Sequence, residues 1–134
     1  LGADGINMGT RFCVTKEAPI DEAFKQRMVD NDERQTDLIF RTLRNTARVM
    51  KNAVSEEVVT IEGKGGAKFE DIQHLVAGTR GREAMASGDT DGGIWSAGMV
   101  QGLMHDIPTV KELIDRIVSE AEELIRERLN GTLA

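Results

Sequence analysis

LGADGINMGTRF, residues 1–12, decides how the rest of this sequence is read. Gly5-Ile6-Asn7-Met8 predicts one buried strand, and Gly9-Thr10 stops it. A strand that ends at a glycine and a hydroxyl residue leaves backbone N–H groups free at its C-terminal end. In α/β folds, phosphate groups are held at such ends. The plain alternative is a simple strand-end turn. A single strand cannot satisfy its own ladder of N–H and C=O groups. The stretch therefore asks for partner strands, from another chain or from a longer polypeptide of which this is a piece. The second is the expectation.

Composition sets the class. The 134 residues are 40% hydrophobic and 30% charged, enough for one globular domain with a core. Aromatics are 4% with no Tyr, so the core is expected to be Leu, Ile, Val, Met and Ala. The net charge of -6 argues against nucleic acid as a partner. No apolar run approaches bilayer length, so no membrane partner is expected. Cys13 is the single cysteine and has no internal disulfide partner, which suits a reducing cytoplasm. The chain starts at Leu1 without the charged start and apolar region of a secretory leader.

Along the chain, Leu1–Gly5 predicts a helix end and a turn. Asp21 caps a helix to about Val29, with Ile20, Phe24 and Met28 on one face. Thr36–Leu43 suits a strand or a helical turn. Asn45 or Thr46 would cap a short helix to Met50. Ser55 would cap another, although Val58–Ile61 has strand character. Gly63–Gly66 predicts a loop, Lys68–Val76 a helix closed by Gly78, and Arg82–Ala86 a short helix closed by Gly88. Asp89–Gly93 predicts a turn. Ile94–Met104 predicts a helix whose small residues Ala97, Gly98 and Gly102 let a neighbour approach. The clearest element is the last. Thr109-Val110-Lys111-Glu112 follows Pro108 as a capping box. Apolar residues from Val110 to Leu129 then form one stripe over roughly 30 Å, ended by Asn130-Gly131.

The order is strand, middle region, long amphipathic helix. It fits the closing unit of a (β/α) barrel: 1–12 as the last barrel strand and phosphate loop, 13–92 as a helical insertion over the active-site face, and 93–134 as returning helices including the last barrel helix. The fold class expected is thus an α/β parent, a TIM barrel, of which this chain is the C-terminal part, mostly α with one barrel strand at its start.

Residues 1–12 resemble the end of the barrel in the nitronate monooxygenase (2-nitropropane dioxygenase) family, which includes NADH:quinone reductases. Asn45-Thr46-Ala47-Arg48-Val49 and Gly88–Gly98 (GDTDGGIWSAG) are similar too, especially to the quinone-reductase branch. The resemblance runs over essentially the whole chain. It implies an FMN-dependent oxidoreductase that oxidises NAD(P)H or nitronates with quinone or O₂ as acceptor. It also implies Met8, Gly9 and Thr10 at the flavin, with Gly9 and Thr10 at its phosphate. Trp95 and Ser96 would line the entrance where nicotinamide or quinone stacks. The general base of the family lies in earlier strands, so no catalytic residue is assigned. A different phosphate-binding barrel, inosine-monophosphate-dehydrogenase-like, is the alternative parent. On its own the chain would be a non-catalytic helical fragment, open to self-association through apolar faces.

Other residues carry weaker signals. Arg41, Arg44, Arg48 and Lys51 fall at helical spacing and would form a basic stripe. It would face a dinucleotide phosphate or a neighbour's acids, or solvent with local carboxylates such as Asp37. His74 and His105 are isolated, His105 at the expected end of a helix, so no metal site is expected. Cys13 reads as a buried structural thiol, and the methionines other than Met8 as core filler.

Overall fold

In the computed structural model, the structure describes residues 4–132. The helix end expected at Leu1-Gly2-Ala3 lies outside them, as do residues 133–134 and the side chains of Leu129 and Thr132.

Residues 5–8 belong to no helix or strand among the described residues, and Ile6 is 77% exposed. The expected buried strand is therefore not formed here. Nothing among the described residues supplies the adjacent backbone that a strand needs. The chain turns at Gly9 into a single helical turn, α1 (Thr10–Cys13). Cys13 is exposed, against the expectation of a buried thiol; Val14 and Thr15 are the buried residues beside it. Helix α2 (Glu22–Asp30) follows as expected, with the Asp21 side chain accepting from Ala23 N–H at 2.8 Å. Phe24 and Met28 are buried on its inner face.

Strand β1 (Thr36–Ile39) resolves the first ambiguity. Its partner is β2 (Ala47–Met50), antiparallel, with Thr36 opposite Met50 and Ile39 opposite Ala47. The helix expected up to Met50 is thus a strand. Phe40 and Arg44 take left-handed backbone, φ 61° and 55°, and turn the chain into a hairpin. The Glu62 carboxylate holds that turn, accepting from Phe40 N–H at 2.9 Å and from the Thr42 hydroxyl at 2.7 Å. Arg41 and Arg44 lie in the turn and Arg48 in the strand, so the basic stripe does not exist. Arg48 instead donates to Thr36 Oγ1, and Lys51 pairs with Glu56.

Helix α3 (Ala53–Gly63) overrides the strand character of Val58–Ile61. Its cap is Asn52, not Ser55. Asn52 Oδ1 accepts from Ser55 N–H, and Ser55 Oγ accepts from Asn52 N–H, each at 2.9 Å. Val54 and Val58 then fall one helical turn apart on the buried face. Helices α4 (Phe69–Val76) and α5 (Gly78–Ser87) are separated at Ala77, whose ψ of 128° breaks the helix. Gly78 opens α5 rather than closing α4, and Gly88 ends α5 with φ 76°.

The helix expected over Ile94–Met104 is absent. Residues 94–98 are extended, and a 3₁₀ turn covers Met99–Leu103. Met50 N–H donates to Trp95 O at 3.0 Å, and Ser96 bridges to Val49. Strand β2 therefore has backbone partners on both edges, and its pairing overrides local helix preference. The expectation of close approach at small residues does hold. A Cβ on Gly102 would sit 2.7 Å from Glu33 N. His105 follows the 3₁₀ turn, so it caps no α-helix.

Helix α6 (Val110–Glu123) starts with the expected capping box at Thr109, continues through wider π-type turns at Leu124–Leu129 and ends in a 3₁₀ turn at Asn130–Thr132. Its stripe is mostly uncovered. Leu113 is buried, whereas Ile114, Val118, Leu124 and Ile125 are 45–57% exposed. No helix of the described residues is long and apolar enough to cross a membrane.

Two apolar clusters form the core. Val14, Phe24, Met28, Met50 and Trp95 belong to one; Ile39, Val49, Val54, Val58 and Ile72 belong to the other. Val49 and Met50 are neighbours on β2 and point to opposite faces, so one strand divides both clusters. The core is not purely aliphatic: Phe24 and Trp95 meet edge to face, ring centroids 4.8 Å apart.

Two polar ties fasten the segments. Asn52 Nδ2 donates to Thr90 O and Gly93 O, both at 2.9 Å, and pins the glycine turn to the start of α3. Asp106 receives Arg11 at 2.8 Å and Arg116 at 2.6 Å, which joins the start of the chain to α6. The Arg116 guanidinium, and then Arg11, hold the Asp106 carboxyl below its usual range.

Asn52→Ala should lower stability by about 2–3 kcal/mol, since it removes a cap and leaves the Gly93 carbonyl without its donor, while Thr90 O keeps Trp95 Nε1; urea unfolding of wild type and variant measures it. Asp106 titrates lower in the folded than in the unfolded chain. Its contribution is therefore full above the unfolded carboxyl pKa and lost as pH falls through the folded one. The pair is half exposed, so it is worth at most about 1 kcal/mol. Melting temperature should drop less between pH 5 and pH 2 in Asp106→Asn than in wild type.

Candidate functional site

Met8, Gly9 and Thr10 come together on one wall of a groove of about 920 Å³. The opposite wall is α6, through Leu113 and Ile117, and Val100 and Leu103 of the 3₁₀ turn close one side. The walls are mainly apolar, with polar groups gathered at the Thr10 end and around Asp106.

Gly9 begins the bend. Its φ of -98° and ψ of -70° place its carbonyl to accept from Phe12 N–H at 3.0 Å and Cys13 N–H at 3.2 Å. The N–H groups of Thr10 and Arg11 have no backbone partner among the described residues. A Cβ on Gly9 would meet nothing within 4 Å, so the space above this backbone is open. Thr10 is half-buried, and its Oγ1 accepts from Gly98 N–H at 3.0 Å. Arg11, beside it, has a side chain only 12% exposed and donates to both the carboxylate and the carbonyl of Asp106. Arg116 reaches the same carboxylate from α6. Asn7, His105 and Glu120 complete the polar lining.

Trp95 and Ser96 stand outside this groove. Trp95 is 4% exposed, packs on Phe24 and donates from Nε1 to Thr90 O at 3.0 Å. Ser96 is exposed beside β2. Among the described residues no group of His, Cys, Asp and Glu could hold a metal ion. Sequence reasoning missed three residues of this region. Arg11 carried a signal, since it directly follows Gly9-Thr10. Asp106 and Arg116 carried none, because Asp106 lies ahead of the Thr109 cap and shares no element with Arg116 on α6. Gly98 was read only as a place of close approach, without its partner Thr10.

Comparison with known proteins gives this arrangement a family. Two curated relatives are each 24% identical over 155 residues. Both are (3aS,4S,5R,7aS)-5-hydroxy-7a-methyl-1-oxo-octahydro-1H-indene-4-carboxyl-CoA dehydrogenases, from Rhodococcus jostii (strain RHA1) and Mycobacterium tuberculosis (strain ATCC 25618 / H37Rv). Each match takes in 90% of this chain but only 44% of the relative. Among solved structures, FabK from Thermotoga maritima superposes with a TM-score of 0.82 at 27% identity, over 93% of this chain and 39% of FabK. A point mutant of the same FabK gives 0.76 at 26% identity, over 98% and 37%. The chain thus spans less than half the length of these relatives. Its architecture is part of their barrel fold, here mostly helical with a small two-stranded sheet. Residues 1–120 match the nitronate monooxygenase family, and the chain belongs to it.

Proposed function

We propose that these residues are the C-terminal part of an FMN-dependent oxidoreductase, with Met8, Gly9 and Thr10 at the phosphate end of the flavin. What supports the reading most is that this consecutive Met-Gly-Thr run lines a groove with backbone donors free among the described residues, in a chain of this family. The groups present suit a phosphate. The Thr10 and Arg11 N–H groups are unpaired among the described residues, and the Thr10 oxygen already accepts from Gly98, which leaves its proton to donate. N–H and O–H donors in a partly dry groove favour an acceptor-rich anion. When bound, FMN supplies the redox chemistry, taking two electrons from a donor and passing them to an acceptor.

The chain's own part is holding and orienting. Gly9 keeps the backbone clear of side-chain bulk. Thr10 donates. Met8 offers a polarisable apolar contact along the groove. The uncovered stripe of α6 packs on the outside of the barrel, as the last barrel helix, and residues 13–92 form the insertion over the active-site face. Trp95 shapes the entrance indirectly, by fixing the backbone of 95–98. The donor is NAD(P)H or a nitronate, and the acceptor quinone or O₂. The relatives named above, a CoA dehydrogenase and FabK, do not favour the quinone-reductase branch in particular.

The full-length protein should be yellow, with the absorbance bands of bound flavin; a colourless, flavin-free protein would sink the reading. The 134 residues alone should show no saturable binding of FMN at micromolar concentration. In the full-length protein, Thr10→Val should weaken FMN about tenfold, the worth of one hydrogen bond to a charged group, measured by quenching of flavin fluorescence.

A further inference from the structure

We infer that Gly98 is the positioning residue for Thr10, and through it sets the preference of the site for the phosphorylated flavin; this rests on the reading of Thr10 as a phosphate donor. Three observations meet here. The Gly98 N–H donates to Thr10 Oγ1 at 3.0 Å. An ideal Cβ on Gly98 would lie 3.1 Å from that same oxygen, so any side chain here presses on the hydroxyl first. The Gly98 backbone is itself held: it is extended, φ -91° and ψ 159°, and it follows Trp95 and Ser96, which are tied to β2 through Met50 N–H and Val49. Ala97 between them is buried.

The chemistry follows from the direction of the bond. A hydroxyl has one proton and an oxygen that accepts. With the Thr10 oxygen engaged by Gly98, the hydroxyl proton is the group left to present. Thr10 donates it to no acceptor among the described residues, and Thr10 lines the groove. A phosphate monoester is mostly acceptor at neutral pH and takes that proton. The sugar-alcohol end of an unphosphorylated flavin gains little from it. Thr10 is β-branched and stiff at χ1, so a hydroxyl pushed by a new methyl cannot rotate away cheaply. Serine at the same place could.

The test uses full-length protein stripped of flavin, with FMN and riboflavin affinities measured in parallel by fluorescence quenching and melting temperature as the control for folding. Gly98→Ala should weaken FMN by about three- to tenfold and leave riboflavin unchanged, so the ratio of the two affinities falls. The double variant Thr10→Ser with Gly98→Ala should recover most of the ratio. A Gly98→Ala protein that weakens both flavins equally, or keeps the wild-type ratio while Thr10→Val lowers it, overturns the role of Gly98 and leaves the phosphate reading standing. A wild-type ratio in Thr10→Val overturns both. Hydrogen exchange supplies a check that does not need the alanine variant to fold. The amide of Gly98 should be protected in the wild type and lose protection in Thr10→Val. An amide that exchanges freely in the wild type removes the proposal.

Discussion

Strand β2 must pair the backbone groups on both of its edges, and much of the structure follows from how it does so. On one edge it takes β1 through a hairpin; on the other it takes residues 95–96. Buried N–H and C=O groups without partners cost more than most side-chain contacts contribute. The extended run 94–98 is therefore not a failed helix. It is the backbone that completes β2, and its course ends with Gly98 against Thr10. A contact between residues 88 positions apart thus depends on a strand lying between them in sequence.

The same strand organises the apolar interior. Because its side chains alternate, Val49 and Met50 anchor separate clusters, one on α3 and α4, the other on α2 and Trp95. Polar groups fasten what the clusters leave loose. Asn52 ties the glycine turn to α3, Glu62 holds the hairpin in left-handed backbone, and Asp106 draws Arg11 and Arg116 together. Each is a short side chain set where two segments meet. The α6 stripe has no such closure, since most of it finds no apolar partner among the described residues.

Legibility followed the range of the interaction. The caps at Asp21 and Thr109, the Gly88 helix end and the apolar face of α2 were readable because their partners lie within one helical turn. Met8, Gly9 and Thr10 are adjacent in the chain and line one groove together. The helices expected at residues 45–50 and 94–104 were not, because their apolar and small residues fit a helix locally and a pairing only non-locally. At Val58–Ile61 a helix and a strand both fitted the residues, and the helix capped at Asn52 prevailed over the β-branched side chains. The strand at residues 5–8 was expected from its apolar character, yet a strand is a property of two backbones, and the described residues offer it none.

By itself, then, the sequence determined what neighbouring residues settle among themselves: family pattern, capped helices, glycine turns and the Gly9-Thr10 bend. Tertiary structure decided the hairpin, the two-sided β2, the exposure of Cys13 and the meeting of Thr10 with Gly98. The physical reason is the reach of a hydrogen bond. A cap is satisfied within a few residues and leaves a spacing to read, whereas a strand edge accepts whatever backbone the fold delivers to it, and that partner leaves no spacing in the chain.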